Sequence, residues 1–391
     1  MATSTEGFVG RGALLIGHAA GLLDLVSMPL WVGVLIQFRH MSPPQAGFLI
    51  TCYMAGVFLT SVALAPRFNR LPARAIAVGG FILGALAFLS IIKIDGFFAL
   101  MPAHFVAGVG AGSALSMVHG TISRSLRPHR LFAIVNFGVA LFSIAFFATV
   151  PDLIQRDPNL LFYVLGGLLA LGALAAAAAF PKPPAENAAR LDALTAHAGA
   201  TAFKVAVVLA FIGVALQSVG QSQTYAFLER IGAWRGFAAA DIGHMLVISG
   251  FLNLLAPVIA AALEHLVPRI GAICVGLLIH ACVAIVASNA ALFLPYAAAG
   301  SLLVFMTIFG HTFMFGTIAK LDPSGRAASS TPAMLTLGAS IGPALGGLVV
   351  QYAGFSAVGF VSAAVFVVSA ACYLTVGWLR APTLQADAAR A

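Results

Sequence analysis

A lone carboxylate inside an apolar run is the first feature of this chain that can do chemistry. Asp24 lies in the stretch Leu22-Leu23-Asp24-Leu25-Val26, with no basic residue nearby in sequence. An ionisable group at such a site is costly in hydrocarbon and marks an ion or substrate pathway. An acid at that depth can take a proton on one side of a membrane and release it on the other, so Asp24 is a candidate for proton coupling, substrate binding or both. On the same helical face, three, four and seven residues away, lie Gly17, Gly21, Ser27, Met28 and Trp31, a pattern of small residues and one aromatic that suits a ligand chamber as well as plain packing.

A second group of candidates is neutral. The run Gln217-Ser218-Val219-Gly220-Gln221-Ser222-Gln223-Thr224-Tyr225 places several amides in another apolar stretch, where each must find an internal partner. Gln217, Gln221 and Tyr225 follow each other at i, i+4 spacing and are expected to line a cavity with hydrogen-bonding groups; glue between helices is the alternative reading. Asn253 and Asn136 are weaker candidates of the same kind. Among the 10 histidines, His104, His280 and His311 are embedded in apolar runs and His18, His119 and His244 lie toward their ends. Imidazole titrates near neutrality and can serve a proton relay. His311 shares a face with Thr307 and Tyr296, while a packing role is the default for His280.

The elements that hold these residues follow from composition. The chain has 391 residues, 61% hydrophobic and only 8% charged, against roughly 25% charged in a soluble domain. About twenty apolar residues span a bilayer. The runs predict helices over 12–38, 45–65, 75–94, 97–122, 131–152, 159–180, 203–228, 239–263, 270–289, 291–318, 328–352 and 356–379, an all-α integral membrane protein with twelve transmembrane helices. Only Glu6 and Arg11 precede the first run, without a small-residue cleavage site, so that run is expected to be a retained helix. Of the 20 Lys and Arg residues, only Arg39, Lys93, Arg156, Arg230 and Arg235 fall in one set of alternating loops. The positive-inside rule then places both termini in the cytoplasm of a cell (inner) membrane. The net charge of +8 reads as attraction to lipid head groups and not to nucleic acid.

The polar stretch from Pro181 to Thr201 divides the chain into expected units of 1–180 and 203–391, with 181–202 as a cytoplasmic linker. Around Asn187 to His197 it has the pattern of a short amphipathic surface helix. The two units repeat each other at an offset of 196 residues: Gly47 matches Gly243, Pro72 matches Pro268, Gly120-Thr121-Ile122 matches Gly316-Thr317-Ile318, and Arg124 and Arg130 match Lys320 and Arg326. Units of six helices each enter from the same side, so the repeats are parallel.

With these features the chain resembles the major facilitator superfamily of secondary transporters over essentially its whole length. The basic loop Pro66-Arg67-Phe68-Asn69-Arg70-Leu71-Pro72 and its counterpart Glu264-His265-Leu266-Val267-Pro268-Arg269 are similar to the family's loop after the second helix of each half. The first copy lacks the usual acid and glycine; the second keeps Glu264. The resemblance implies two pseudo-symmetric six-helix bundles, with Arg67, Arg70, Glu264 and Arg269 as gating residues. The stretch Pro102 to Gly112 is similar to the family's fourth-helix motif with His104 in place of arginine, which implies a coupling role for His104. Gly338 to Gly347 resembles a glycine-proline pattern that family exporters carry in the fifth helix. Here the fifth helix has Phe142 and Phe146, which speaks against drug efflux.

Taken together, these features lead to an expected non-enzymatic transporter moving a small organic solute by alternating access, with proton-coupled uptake ahead of proton-coupled efflux of drugs or metabolites or a sensor of the same fold. The substrate-binding candidates are Asp24, Trp31, Gln217, Gln221, Tyr225, Asn253 and His311. No Lys or Arg sits at mid-depth to clamp a strong anion, so the solute is expected to be neutral, cationic or weakly anionic. No cofactor is expected beyond the proton gradient, no metal site is read from the scattered Cys52, Cys274, Cys282 and Cys372, and the chain is expected to act as a monomer among lipids. Gly338-Ala339-Ser340-Ile341-Gly342 fits the hydrolase pattern G-x-S-x-G but lies inside a helix, where that chemistry has no scaffold.

Overall fold

Within hydrocarbon a backbone must satisfy its own polar groups, and a long apolar helix does so. The protein, seen here as a computed structural model, is described over residues 4–5, 7–182, 205–264, 266–322 and 331–388. The expected surface helix around Asn187 to His197 lies outside them. Among the described residues the helices are α1 (Phe8–Gly21), α2 (Leu23–Gln37), α3 (Pro43–Leu64), α4 (Ala73–Ile91), α5 (Phe97–Ser123), α6 (Pro128–Arg156), α7 (Leu160–Ala179), α8 (Val205–Trp234), α9 (Ala239–Leu263), α10 (Arg269–Asn289), α11 (Phe293–Leu321), α12 (Thr331–Ala353) and α13 (Phe355–Ala388). With α1 and α2 counted as one span, 12 are long and apolar enough to cross a membrane.

The repeat seen in sequence sets the architecture. α9, α10 and α11 begin at Ala239, Arg269 and Phe293, each 196 residues after the starts of α3, α4 and α5 at Pro43, Ala73 and Phe97. Even the turn after the first span of each half is reused. His40 and its repeat mate Gly236 both take the left-handed conformation, with φ of 51° and 83°. Arg39 and its mate Arg235 then perform equivalent stapling. Arg39 donates to the carbonyl oxygens of Ile91 and Ile94 and to Asn159 Oδ1, and it pairs with Asp95; Arg235 donates to Ser288 O and Ser356 Oγ.

Close helix approach rests on small residues. Gly108 and Gly112 of α5 lie against Tyr53 and Val57 of α3, and Gly110 meets Gly80 and Gly84 of α4, with no room for a Cβ on either side. In α12, Gly338, Gly342 and Gly346 press on α8 at Ala215, Ser222 and Phe227.

Two departures from the expected helices bear on function. The first span is not continuous: it breaks at Leu22, whose φ of −108° and ψ of 20° end α1 and start α2. Gly21, held against Leu115 of α5, precedes the break. The seventh span runs to Trp234 instead of ending near 228, so Glu229 and Arg230 belong to helix α8 and not to a loop.

Calling the end at which α1 and α8 begin proximal, and the other distal, the two halves meet along α3 with α12, α6 with α9 and α2 with α8. The named contacts of these seams lie from mid-depth to the distal end. Gly47 sits on the Pro343 carbonyl and Gly347 on Pro43; Gly250 faces Ser143 and Ile144. Thr51 Oγ1 donates to Ser340 O at 2.6 Å. The proximal ends of α5 and α11 form no comparable seam among the described residues.

Candidate functional site

Asp24 stands in the first turn of α2, directly after the break, and only 6% of it is exposed. A helix start offers backbone N–H groups to a carboxylate, and those of Asp24 and Leu25 face this one. Tyr53 of α3 lies close enough to interact with the Asp24 charge. Nearby polar atoms of the same half are buried without a hydrogen-bond partner: Ser27 Oγ, Trp31 Nε1, Tyr53 Oη and His104 Nε2. His104 commits Nδ1–H to Leu100 O at 2.8 Å, so its second nitrogen is a bare acceptor. Trp31 stacks on the His104 ring at 5.4 Å and meets Tyr53 at 5.2 Å and Phe88 at 5.1 Å. The structure thus brings Trp31 and His104 together, both fully buried, in an aromatic cluster one to two turns distal to Asp24.

The amide face of α8 does not stay together. Each step of four residues rotates a helix by about 40°, and α8 is packed on several sides. Gln217 lies against Gly310 of α11. Gln221 Oε1 accepts from His280 Nε2 of α10 at 3.0 Å, and Tyr225 reaches across to the Val26 carbonyl of α2 at 3.5 Å. Gln223 and Thr224 bond Ser362 of α13. His280 also stacks on Phe366 at 4.1 Å. His311 stacks on Phe315, with Nε2 buried and unpartnered. Its expected neighbours are engaged elsewhere: Tyr296 donates to Leu228 O and Thr307 to Leu303 O. Asn253 of α9 keeps a buried, unpartnered Oδ1 and is not joined to the other candidates.

The loop residues separate by half. Arg269 Nη2 donates to Glu264 Oε1 at 2.5 Å within the second copy. In the first copy Arg67 donates to Ala63 O and Arg70 is exposed. There Phe68 lies under the Arg124 guanidinium at 4.2 Å.

Two arrangements escape a reading of single positions. His119 Nε2–H donates to His18 Nδ1 at 3.0 Å, and His18 Nε2–H donates to Asn136 Oδ1 at 3.1 Å. This chain of three side chains links α5, α1 and α6; each residue stood out in the sequence, but their pairing depends on tertiary packing. Glu229 is the second. Its side chain is 16% exposed, which corrects the picture of Asp24 as the single acid within the spans. The cue was available: continuing the helical reading through the Glu-Arg pair places Glu229 one turn beyond Tyr225.

The profile of the Major Facilitator Superfamily matches residues 13–323. No curated protein matches the chain by sequence. Among solved structures, the chain is similar to a bacterial homologue of the human lysosomal transporter Spinster in an inward-facing, occupied conformation, with 15% identity, a TM-score of 0.71, and coverage of 94% of this chain and 96% of that one. It is equally similar to the nucleoside transporter NupG, with 15% identity, a TM-score of 0.70, and coverage of 95% and 99%. At this identity the likeness shows the fold. The profile match extends over most of the spans, and this multi-pass membrane chain belongs to the Major Facilitator Superfamily.

Proposed function

We propose that the protein carries a small organic solute across the cell (inner) membrane by alternating access, with proton-coupled uptake as its mode. The units 1–180 and 203–391 rock about the linker 181–202, and both termini face the cytoplasm. The observation that carries the reading is Asp24: a buried carboxylate at a helix break, within electrostatic reach of Tyr53 and on the helix that meets α8 across the seam between halves. Broken helices at mid-depth are where transporters of this kind bind solutes and coupling ions. With the distal seams packed, the conformation is the one that opens toward the cytoplasm. Glu264 with Arg269, and Arg67 with Arg70, act at the proximal gate. His104 supports coupling through Trp31, and Gln217, Tyr225, Asn253 and His311 supply hydrogen-bonding groups when the halves move.

Solute identity follows from chemistry in its coarsest form. The mid-depth polar groups are one acid and several neutral donors and acceptors, which fits a neutral, cationic or weakly anionic solute. A thermal-stabilisation screen of the purified protein against metabolites, nucleosides and drugs identifies a binder by mass action. Its flux into proteoliposomes then decides the mode. Accumulation driven by an acidic exterior supports uptake; expulsion under the same gradient means efflux, and binding without flux means a sensor.

A further inference from the structure

Glu229 has no task in that cycle, yet it stands at the α2–α8 seam, against Gly33 of α2. Its Oε2 is buried without a hydrogen-bond partner. That oxygen lies where a Cβ on Gly33 of α2 would come within 2.5 Å, so the carboxyl group stands between the halves, on the wall of a cleft that leaves its side chain 16% exposed. Its other oxygen is 4.0 Å from Arg230 Nη1, beyond hydrogen-bond length. Arg230 instead uses Nη1 to reach across the seam to Gln37 Oε1 at 2.8 Å.

Beyond Arg230, the charged and titratable residues of α2 and of the distal halves of α6 and α9 are Asp24 of α2, a turn and more deeper, and Asp152 and Arg156 of α6 and Asp241 and His244 of α9, the last four all exposed. α2 presents Gly33 and Gln37, α6 presents Pro151 and Gln155, and α9 presents Ile242 and Gly243. Tyr296 of α11 is close, but its hydroxyl is donated to Leu228 O at 2.7 Å. The titratable residues of α10 and α13 that face α8, His280 and Tyr373, are bonded at Gln221 and Ala210, deeper in the helix. α12 carries only Tyr352, which is exposed.

A carboxylate with one oxygen buried and unpartnered is unfavourable, while the neutral acid is tolerated and gains an O–H donor. Opening the seam returns the group to water, where ionisation has no such cost. We infer that Glu229 is a proton-operated latch: the α2–α8 seam closes on the protonated acid and opens when the proton leaves. The inference concerns the distal gate alone and holds for uptake or efflux.

The test is the distance across the distal end in lipid nanodiscs, measured between spin labels at Lys93→Cys and Leu292→Cys, both exposed positions, with the native cysteines replaced. In the parent protein the open fraction rises from about pH 5.5 to about pH 8.5, with a closed-to-open ratio changing by up to about tenfold per pH unit, the limit for one coupled proton. Glu229→Gln, which mimics the protonated acid, stays closed at both values. Glu229→Asp keeps the response. A Glu229→Gln protein that opens with pH as the parent does overturns the inference, as does a parent that ignores pH. Loss of the response in Asp24→Asn but not in Glu229→Gln overturns it too and leaves Asp24 as the coupling acid.

Discussion

Replacing Thr51 by valine should open the distal side. The Thr51 hydroxyl donates to Ser340 O at 2.6 Å and accepts from Ala344 N at 3.3 Å, across the α3–α12 seam. Ser340 O and Ala344 N stand at i and i+4 of α12 beside Pro343, which removes the neighbouring N–H of the ladder and crowds the Ala339 carbonyl, and the Thr51 hydroxyl bonds both groups at that kink. Valine keeps the shape of threonine and loses both bonds across the seam, which only the closed state makes. At about 0.5–1.5 kcal/mol each, two such bonds contribute about 1–3 kcal/mol. That cost falls on the closed state, so the closed-to-open ratio should drop by about 5- to 150-fold. The same Lys93/Leu292 label pair reads this as growth of the long-distance population, while Thr51→Ser leaves the distribution near that of the parent. A Thr51→Val distribution superimposable on the parent's would refute the idea that this bond helps hold the distal side shut.

Other expectations follow from single contacts. Gln221→Leu removes the acceptor for His280 Nε2 while Nδ1 already has none, so thermal melts should show a loss of about 1–3 kcal/mol, largely recovered when His280→Phe is added. Arg39→Met, which loses bonds to Ile91, Ile94, Asp95 and Asn159, should lower the melting temperature more than Arg235→Met, which loses those to Ser288 and Ser356. His40→Gly should raise stability. A left-handed non-glycine residue costs about 1–2 kcal/mol, glycine gives back roughly 0.5–1 kcal/mol through the unfolded chain, and equilibrium unfolding should show the small difference.

The architecture was legible in the sequence wherever it depends on long apolar runs and on the repeat: the 196-residue offset reappears in the starts of α9, α10 and α11. What the sequence hid depends on tertiary contact. The break at Leu22 leaves no proline at that point and comes where α1 meets α5, and a glycine alone does not announce it. Glu229-Arg230 has the composition of a loop, and the contacts with Gly33 and Gln37 of α2 that receive these two charged residues are tertiary. The i, i+4 logic that grouped Gln217, Gln221 and Tyr225 is sound for a helix with one wet face. It separates here because α8 is enclosed by α2, α10, α11, α12 and α13. His18 and His119 lie 101 positions apart, and no local pattern joins them.

The central claim is that Asp24 couples solute movement to protons. The most direct measurement uses the compound found by thermal screening, in proteoliposomes holding either the parent protein or Asp24→Asn, with an imposed pH gradient and, separately, with solute on both sides and no gradient. The account predicts gradient-driven accumulation by the parent alone and measurable exchange by both. Accumulation by Asp24→Asn equal to that of the parent would contradict it.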